Sequence, residues 1–273
     1  MSVTIKHALQ DAHHVLGEPR SGEILLGFIL RQTRAYLYTY PDKIIPEDKH
    51  QRFQNLKTKR AQGVPIAYLL GEKEFYSLRF KVTPDTLIPR PETELLIDTV
   101  LEILPSEQAK VLDLGTGSGV IAITLAKLRP HLQVMATDFS APALQVAKDN
   151  AKQYDLTNIE FLLSHWFDSI APQAFDIIVS NPPYIADRDP HLKQGDVRFE
   201  PETALQSGAE GLDDLKQIIK LAPAYLVSGG SLLVEHGFDQ ADAVQALFKT
   251  AGFHKISTVK DLAGLARMTW ANK

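Results

Sequence analysis

Asn181-Pro182-Pro183-Tyr184 is the segment of this chain whose residue types define a chemistry most narrowly. Asn181 offers a neutral side-chain carbonyl as a hydrogen-bond acceptor. Pro182 has no N–H, so its backbone carbonyl can face a ligand with no competing donor beside it. Pro183 stiffens the next step, and Tyr184 supplies a flat ring on which a planar amide or base can stack. Two acceptors and a platform grip one planar NH2 group. A glutamine amide, adenine N6 and cytosine N4 fit that grip about equally, so the tetrapeptide specifies a chemistry before a substrate.

A second constellation lies upstream. Val111-Leu112-Asp113-Leu114 runs into Gly115-Thr116-Gly117-Ser118-Gly119, a strand entering a glycine-rich turn. Glycines let the backbone pass close to a ligand and adopt positive φ. The dinucleotide fingerprint G-x-G-x-x-G requires a third small residue where Val120 stands. The actual pattern, Asp-x-Gly-x-Gly-x-Gly, is the one found in methyltransferases that use S-adenosylmethionine. Asp138 closes the next strand and can accept two hydrogen bonds from ribose hydroxyls. Its alternative role is helix capping, since Phe139-Ser140-Ala141-Pro142 also opens a helix. Trp166 follows the third strand and is placed either over an adenine face or in the core.

These residues need elements to position them. From Lys110 onward, strand-like stretches at 111–114, 133–137, 159–163, 176–179 and 231–235 alternate with helical ones. Such alternation predicts a parallel sheet covered on both faces, with ligands at the carboxyl ends of its strands. Residues 253–259 and 267–270 are expected to close the sheet as an antiparallel pair. The first seventy residues read as helices, one with Ile24, Leu25, Phe28 and Ile29 on a common face behind an N-cap at Ser21. Near-alternation of Phe75, Tyr76, Leu78, Phe80 and Val82 predicts a β-hairpin. Pro84, Pro89 and Pro91 stiffen the connector that follows, and Pro91 opens a helix to about Leu104.

Composition narrows the classes. The 273 residues are 44% hydrophobic and 23% charged, an ordinary globular balance. Zero cysteines exclude disulfides, thiolate nucleophiles and cysteine-ligated metals. No apolar run approaches the roughly 20 residues that span a bilayer, and the first residues lack a signal pattern, so cytoplasm is the expected location. Residues 1–90 carry 14 Lys and Arg against 9 Asp and Glu, whereas the remainder carries 15 against 24. An acidic larger part is a poor match to a protein that wraps duplex DNA.

Taken together, the motifs resemble the release factor glutamine methyltransferases, the PrmC/HemK family. The resemblance rests on Pro65-Ile66-Ala67-Tyr68, Gly71-Glu72, Glu74-Phe75-Tyr76 and Ile88-Pro89-Arg90-Pro91-Glu92-Thr93-Glu94. It continues through residues 113–119 and 180–184 to Phe199-Glu200-Pro201. It implies an α/β class I S-adenosylmethionine-dependent methyltransferase with a Rossmann-like seven-stranded sheet. A helical N-terminal substrate-recognition domain (1–70) and a linking hairpin (71–90) would precede the catalytic domain (91–273).

The resemblance also implies the chemistry. The substrate would be the glutamine of the Gly-Gly-Gln motif in peptide chain release factors, methylated at N5 during the maturation of translation termination. Gly115, Thr116, Gly117, Ser118, Gly119, Asp138, Trp166 and Asn181 would line S-adenosylmethionine, which leaves as S-adenosylhomocysteine. Asn181, Pro182, Pro183 and Tyr184 would hold the glutamine. No metal, direct nucleic-acid partner or membrane is expected, and the chain is read as a monomer. One departure is His165, which stands where this class often places an acidic acceptor for the adenine amine. A backbone carbonyl or a neutral imidazole nitrogen would then accept instead.

Other readings remain on the residues alone. A ribosomal-protein glutamine methyltransferase would share the fold and the chemistry. A DNA or RNA amino-methyltransferase would need a basic recognition domain. A non-catalytic S-adenosylmethionine-binding module would not need the amide clamp. A triad hydrolase fails because Ser118 lacks Gly two residues before it. Residues 187–212 are expected to form a lid. His191 and His236 are read as solvated or structural rather than as bases, and Arg90, Glu92 and Glu94 as shaping the site or forming ion pairs.

Overall fold

The alternation from Lys110 onward builds one sheet. The computed structural model describes residues 3–273. Two compact units emerge: residues 3–72 with 195–199, and residues 73–194 with 200–273.

The second unit carries the sheet. A hairpin, β1 (Glu72–Phe75) and β2 (Leu78–Lys81), precedes a short 3-10 turn at Pro91–Thr93 and α6 (Glu94–Ile103). Then come β3 (Lys110–Leu114), α7 (Val120–Leu128), β4 (Gln133–Asp138), α8 (Ala141–Gln153), β5 (Ile159–Leu163) and β6 (Phe175–Ser180). The chain ends with α9 (Asp213–Leu221), β7 (Leu226–Glu235), α10 (Ala241–Thr250), β8 (His254–Lys260) and β9 (Ala266–Asn272). The strand order is β5-β4-β3-β6-β7-β9-β8. The first five strands in that order are parallel, and β9 pairs antiparallel with both β7 and β8, as the alternation predicted.

Successive strand residues face opposite sides, so both faces of the central strands must be apolar to be covered. Val111, Ile177 and Val179 point to one side, where they pack with Leu96, Ile97 and Val100 of α6 and the apolar face of α7. Leu112, Leu114 and Ile178 point to the other, against Leu215, Ile218 and Ile219 of α9 and Val244 and Phe248 of α10. The hairpin joins this unit through α8. Asn150 accepts from Lys81 N at 2.7 Å and donates to its carbonyl at 3.0 Å, while Tyr154 Oη accepts from Arg79 N at 2.7 Å.

The first unit is helical: α1 (Ile5–Leu16), α2 (Pro19–Leu30), α3 (Arg34–Thr39), α4 (Glu47–Ala61) and α5 (Ile66–Leu70). Ile5, Ala8, Ala12, Leu25, Leu26, Leu37 and Phe53 form its core. A Cβ at Gly22 would stand 2.8 Å from that of Ala12, so the glycine lets α1 and α2 approach closely. The cap of α2 is not Ser21. Glu18 caps it by accepting from Ser21 N, and Pro19 occupies the first turn, where its missing N–H costs nothing. Ser21 is buried instead, and Phe28 is exposed.

Candidate active site

In the order β4-β3-β6, the chain steps outward from β3 in one direction through β4 and β5, then returns to the other side with β6 and β7. The carboxyl ends of β3 and β6 therefore meet at the switch point, where open α/β sheets bind ligands. The glycine turn leaves β3 there, and Asn181-Pro182-Pro183-Tyr184 leaves β6 beside it. Ser180 Oγ ties the two strand ends together by donating to Leu114 O at 2.8 Å.

The glycine turn is held from three sides. Gly115 N and Thr116 N both donate to Thr137 O, at 2.9 and 2.8 Å. Asp113 Oδ2 accepts from Thr116 Oγ1 at 2.7 Å and from Ala122 N at 3.2 Å. Asn150 Nδ2 donates to Ser118 O at 2.8 Å. Gly115, Gly117 and Gly119 take φ of 73°, 57° and 87°, left-handed conformations that L side chains rarely adopt. Burial pushes the Asp113 carboxyl up to about 7, against the lowering effect of its two hydrogen bonds.

Beyond the turn lies a cavity of about 280 Å3. Gly115, Thr116, Gly117, Ser118, Asp138, Trp166 and Asn181 all line it, as does Pro183. Gly119 sits behind the wall, where a Cβ would meet Ile123 Cδ1 at 2.6 Å. Pro182 is buried and Tyr184 half-buried, and neither is part of the wall.

Asp138 accepts from Gly117 N and Ser140 N, both at 2.8 Å. Burial raises its carboxyl, and backbone N–H groups oppose that rise. The helix that follows is capped by Ser140, whose side chain accepts from Ala143 N, so capping does not occupy Asp138. Each carboxylate oxygen keeps a further lone pair for a ligand hydroxyl.

Trp166 is both a core residue and part of the cavity wall. Its ring packs in the core and lines the cavity under Gly115, where a Cβ would come within 3.3 Å of Cζ3. Its Nε1 donates to Asp214 Oδ1 at 3.1 Å, and its own φ is 45°. His165 stands on the wall beside it, with its ring edge-on to Phe139 at 6.3 Å between centroids.

Asn181 leads to residues the sequence reading did not assign. Its Nδ2 donates to Thr93 Oγ1 at 3.1 Å, and Thr93 Oγ1 donates to Glu235 Oε2 at 2.8 Å. Tyr184 Oη donates to the other oxygen, Glu235 Oε1, at 3.1 Å. Glu235 is 2% exposed, and burial pushes its carboxyl up to about 7. The same burial and the Glu235 charge raise the Tyr184 phenol.

The connector residues separate in role. Arg90 Nη2 meets Glu200 Oε1 at 2.6 Å, an ion pair with a buried carboxylate. Glu94 accepts from Tyr76 N at 2.8 Å. His191 is exposed and bound to Asp189, while His236 is fully buried, between Gly237 O and Thr269 Oγ1. Neither histidine lines the cavity.

The stretch expected as a lid is tied down over part of its length. Ile185 N donates to Leu205 O and Ser207 N to Ile185 O, both at 2.9 Å. Pro201, Thr203, Ala204 and Gln206 form part of the cavity wall. Residues 195–199 group with the helical unit, where Asp196 Oδ1 meets Arg60 Nη1 at 3.0 Å.

Two family models match the chain: "PrmC N-terminal domain" over residues 4–71 and "Methyltransferase small domain" over residues 91–198. The chain is similar to the release factor glutamine methyltransferase of Coxiella burnetii, 44% identical over 98% of this chain and 97% of that protein. The Escherichia coli protein of that name is 44% identical over 92% and 90% of the two chains, and the Xylella fastidiosa one 47% over 90% of each. Among solved structures, a methyltransferase from Pyrococcus furiosus superposes with a TM-score of 0.55 at 16% identity, over 83% of this chain and 98% of that one. A T. thermophilus 16S rRNA methyltransferase in complex with AdoMet and guanosine gives 0.54 at 18%, over 74% and 49%. At such identities these two structures speak to the fold alone.

Proposed function

The chain belongs to the family of release factor glutamine methyltransferases, and from that premise we propose that it methylates the side-chain amide nitrogen, N5, of the glutamine in the Gly-Gly-Gln motif of peptide chain release factors. The observation that carries this reading is that the glycine turn, Asp138 and Asn181 line one cavity across the β3–β6 switch point. Residues 1–70 are proposed as the substrate-recognition domain, 71–90 as the hairpin and linker, and 91–273 as the catalytic domain. Among the described residues no helix is long and apolar enough to cross a membrane. Action in the cytoplasm, as a monomer and on protein rather than nucleic acid, is part of the proposal.

The residues present fit S-adenosylmethionine. Gly117 lines the cavity with nothing within 4 Å of where its Cβ would stand, leaving room for a ligand against bare backbone. Gly115, Thr116, Gly117 and Ser118 would surround it, with Gly119 packed behind them rather than against it, Asp138 would accept from its ribose, and Trp166 would face its base. When bound, it supplies an electrophilic methyl group on a positively charged sulfonium.

The remaining work falls to the chain. A carboxamide nitrogen is a weak nucleophile because its lone pair is delocalised into the carbonyl. As the new N–C bond forms and the methyl–sulfur bond of the bound donor would break, positive charge develops on that nitrogen; an acceptor aimed at its hydrogens stabilises that charge, and one of those protons then leaves to water. Asn181 Oδ1 takes that role, worth roughly 2–4 kcal/mol by analogy with oxyanion-hole donors, whereas the Pro182 carbonyl expected to share it belongs to a buried residue outside the cavity wall. A carboxylate at 181 would also attract the sulfonium in the ground state, and only the differential part accelerates transfer. Pro183, on the cavity wall, restricts the pose, since alignment of nitrogen, methyl and sulfur lowers the barrier further.

The test offers methyl-labelled cofactor to the enzyme with release factor, ribosomal protein, DNA and RNA in separate reactions. Label is expected on the release factor glutamine, with kcat reduced at least tenfold in Asn181→Ala. Label confined to another substrate, or full turnover in folded Asn181→Ala, refutes the proposal.

A further inference from the structure

A side-chain amide can turn over by 180°, exchanging its oxygen for its NH2 at little cost in shape. For Asn181 the two orientations are opposites in function. Oxygen toward the cavity accepts from a substrate NH2, whereas NH2 toward the cavity opposes it donor to donor. Something must choose between them, and the hydrogen-bond chain behind Asn181 has a direction that does so.

An ionised carboxylate only accepts. Glu235 Oε2 therefore takes the single proton of the Thr93 hydroxyl, at 2.8 Å. With its proton committed, Thr93 Oγ1 can only accept from the group on its other side. At 3.1 Å that group is Asn181, which must present Nδ2. Oδ1 is then the end left for the cavity. The other oxygen of the same carboxylate accepts from the Tyr184 hydroxyl at 3.1 Å. Glu235 and Thr93 are each 2% exposed, so water does not compete for these bonds.

We propose that Glu235 and Thr93 are positioning residues that, by the direction of their hydrogen bonds, lock the Asn181 carboxamide with its oxygen toward the methyl-accepting amide and steady Tyr184 beside it. This rests on the assignment of Asn181 as the amide clamp. It adds to that assignment a device that runs from Thr93, on the cavity wall, to Glu235 behind it.

Directionality requires the charged form of Glu235. A protonated carboxyl would donate to Thr93 or Tyr184 and release the order of the chain. Burial makes protonation accessible near neutrality, since the carboxyl is pushed up to about 7. The charged and titratable groups around it are few. Glu92 from the connector raises it, and Arg267 from β9, itself bound to Asp261, lowers it. Tyr184 stays protonated, and Arg90 is paired with Glu200. His236, the next residue on β7, has its imidazole lowered by burial and stays neutral above its ordinary value. Glu235 is thus the group in this shell expected to change charge between pH 6 and 8.

The experiment compares Thr93→Val, Thr93→Ser, Glu235→Gln and Asn181→Ala with wild type. It measures melting temperature, affinity for S-adenosylhomocysteine, affinity of release factor for the S-adenosylhomocysteine-loaded enzyme, and kcat and KM against pH. Thr93→Val, which keeps the shape and removes the hydroxyl, is expected to lower kcat at least tenfold and weaken release factor binding. Its S-adenosylhomocysteine affinity should stay within threefold. Thr93→Ser should restore kcat to within threefold of wild type. Wild-type kcat should fall about tenfold per pH unit below about 7, and Glu235→Gln should lose that limb at a lower plateau.

A folded Thr93→Val with kcat within threefold of wild type overturns the proposal if Asn181→Ala is slow. If Asn181→Ala also turns over fully, the clamp assignment itself fails. Should Thr93→Val not fold, an acid limb that persists unchanged in Glu235→Gln overturns the proposal independently.

Discussion

Gly115 and Gly117 share a left-handed backbone, with φ of 73° and 57°, but differ in what faces their missing Cβ. At Gly115 it would stand 3.3 Å from Trp166 Cζ3 and 3.6 Å from Cη2, whereas at Gly117 it would meet nothing within 4 Å. Placing an L-residue in that region costs about 1–2 kcal/mol. Alanine recovers about 0.4–1 kcal/mol of this by narrowing the unfolded ensemble. Gly117→Ala is therefore expected to lose on the order of 1 kcal/mol. Gly115→Ala adds overpacking against an indole that is 7% exposed and held through Nε1 by Asp214, so the ring has little freedom to yield. Overpacking of that kind costs about 1–3 kcal/mol, bringing the total to roughly 3 kcal/mol. In a unit of this size each kcal/mol lowers the melting temperature by about 2–4 °C. Scanning fluorimetry should then place Gly117→Ala about 3 °C below wild type and Gly115→Ala about 9 °C below. Calorimetry with S-adenosylhomocysteine should show at least a tenfold loss of affinity for Gly117→Ala despite its near-normal stability. Equal melting temperatures for the two variants would show that Trp166 does not pin Gly115. Unchanged affinity in Gly117→Ala would remove the glycine turn from the cofactor site.

Two further outcomes follow from the carboxylates at the strand ends. Asp138→Ala is expected to weaken S-adenosylhomocysteine at least tenfold by calorimetry, with methionine-only analogues unaffected; equal loss for both would place Asp138 away from the ribose. The folded Asp113 carboxyl, raised from 3.8 to about 7, holds a proton that the unfolded chain has already released, so its contribution is favourable below about pH 4 and is lost as pH rises to 7. Denaturant melts should show wild type losing on the order of 4 kcal/mol relative to Asp113→Asn between pH 4 and 8, at ~1.4 kcal/mol per unit, and a pH-independent difference would contradict that burial effect.

The parallel sheet was legible because its strands are covered on both faces and so read as apolar runs broken by helices. Val111-Leu112 and Ile177-Ile178-Val179 need no tertiary knowledge to be recognised as buried. The cap of α2 was not legible. Ser21 is a better capping residue than Glu18 by type, but Pro19 sets φ for the first helical position and moves the start three residues earlier. The wall at residues 200–208 was hidden for a different reason. It is joined to residues 185–187 by backbone hydrogen bonds, which depend on no side-chain pattern, and to Arg90 by an ion pair from Glu200 that spans 110 residues.

Thr93 and Glu235 show where a further signal lay. Each of the four parallel strands before β7 delivers a cavity-lining residue at its carboxyl end: Gly115 after β3, Asp138 closing β4, Trp166 after β5 and Asn181 after β6. Glu235 closes β7 in the same way, a lone acidic residue at the end of Leu232-Leu233-Val234. Read singly, it looks like the polar end of a buried strand. Read with the other four, it closes the one parallel strand whose end the sequence reading had left without a role, and it lies behind the cavity wall rather than on it. Thr93 is harder to find, because it lies outside the sheet and 88 residues from its partner Asn181. Only a fold that brings the connector across the ends of β6 and β7 gives its hydroxyl something to orient. Residues that line the cavity can thus be read from their own chemistry. Those that orient them become readable only when the direction of each hydrogen bond is followed back to a group that cannot donate.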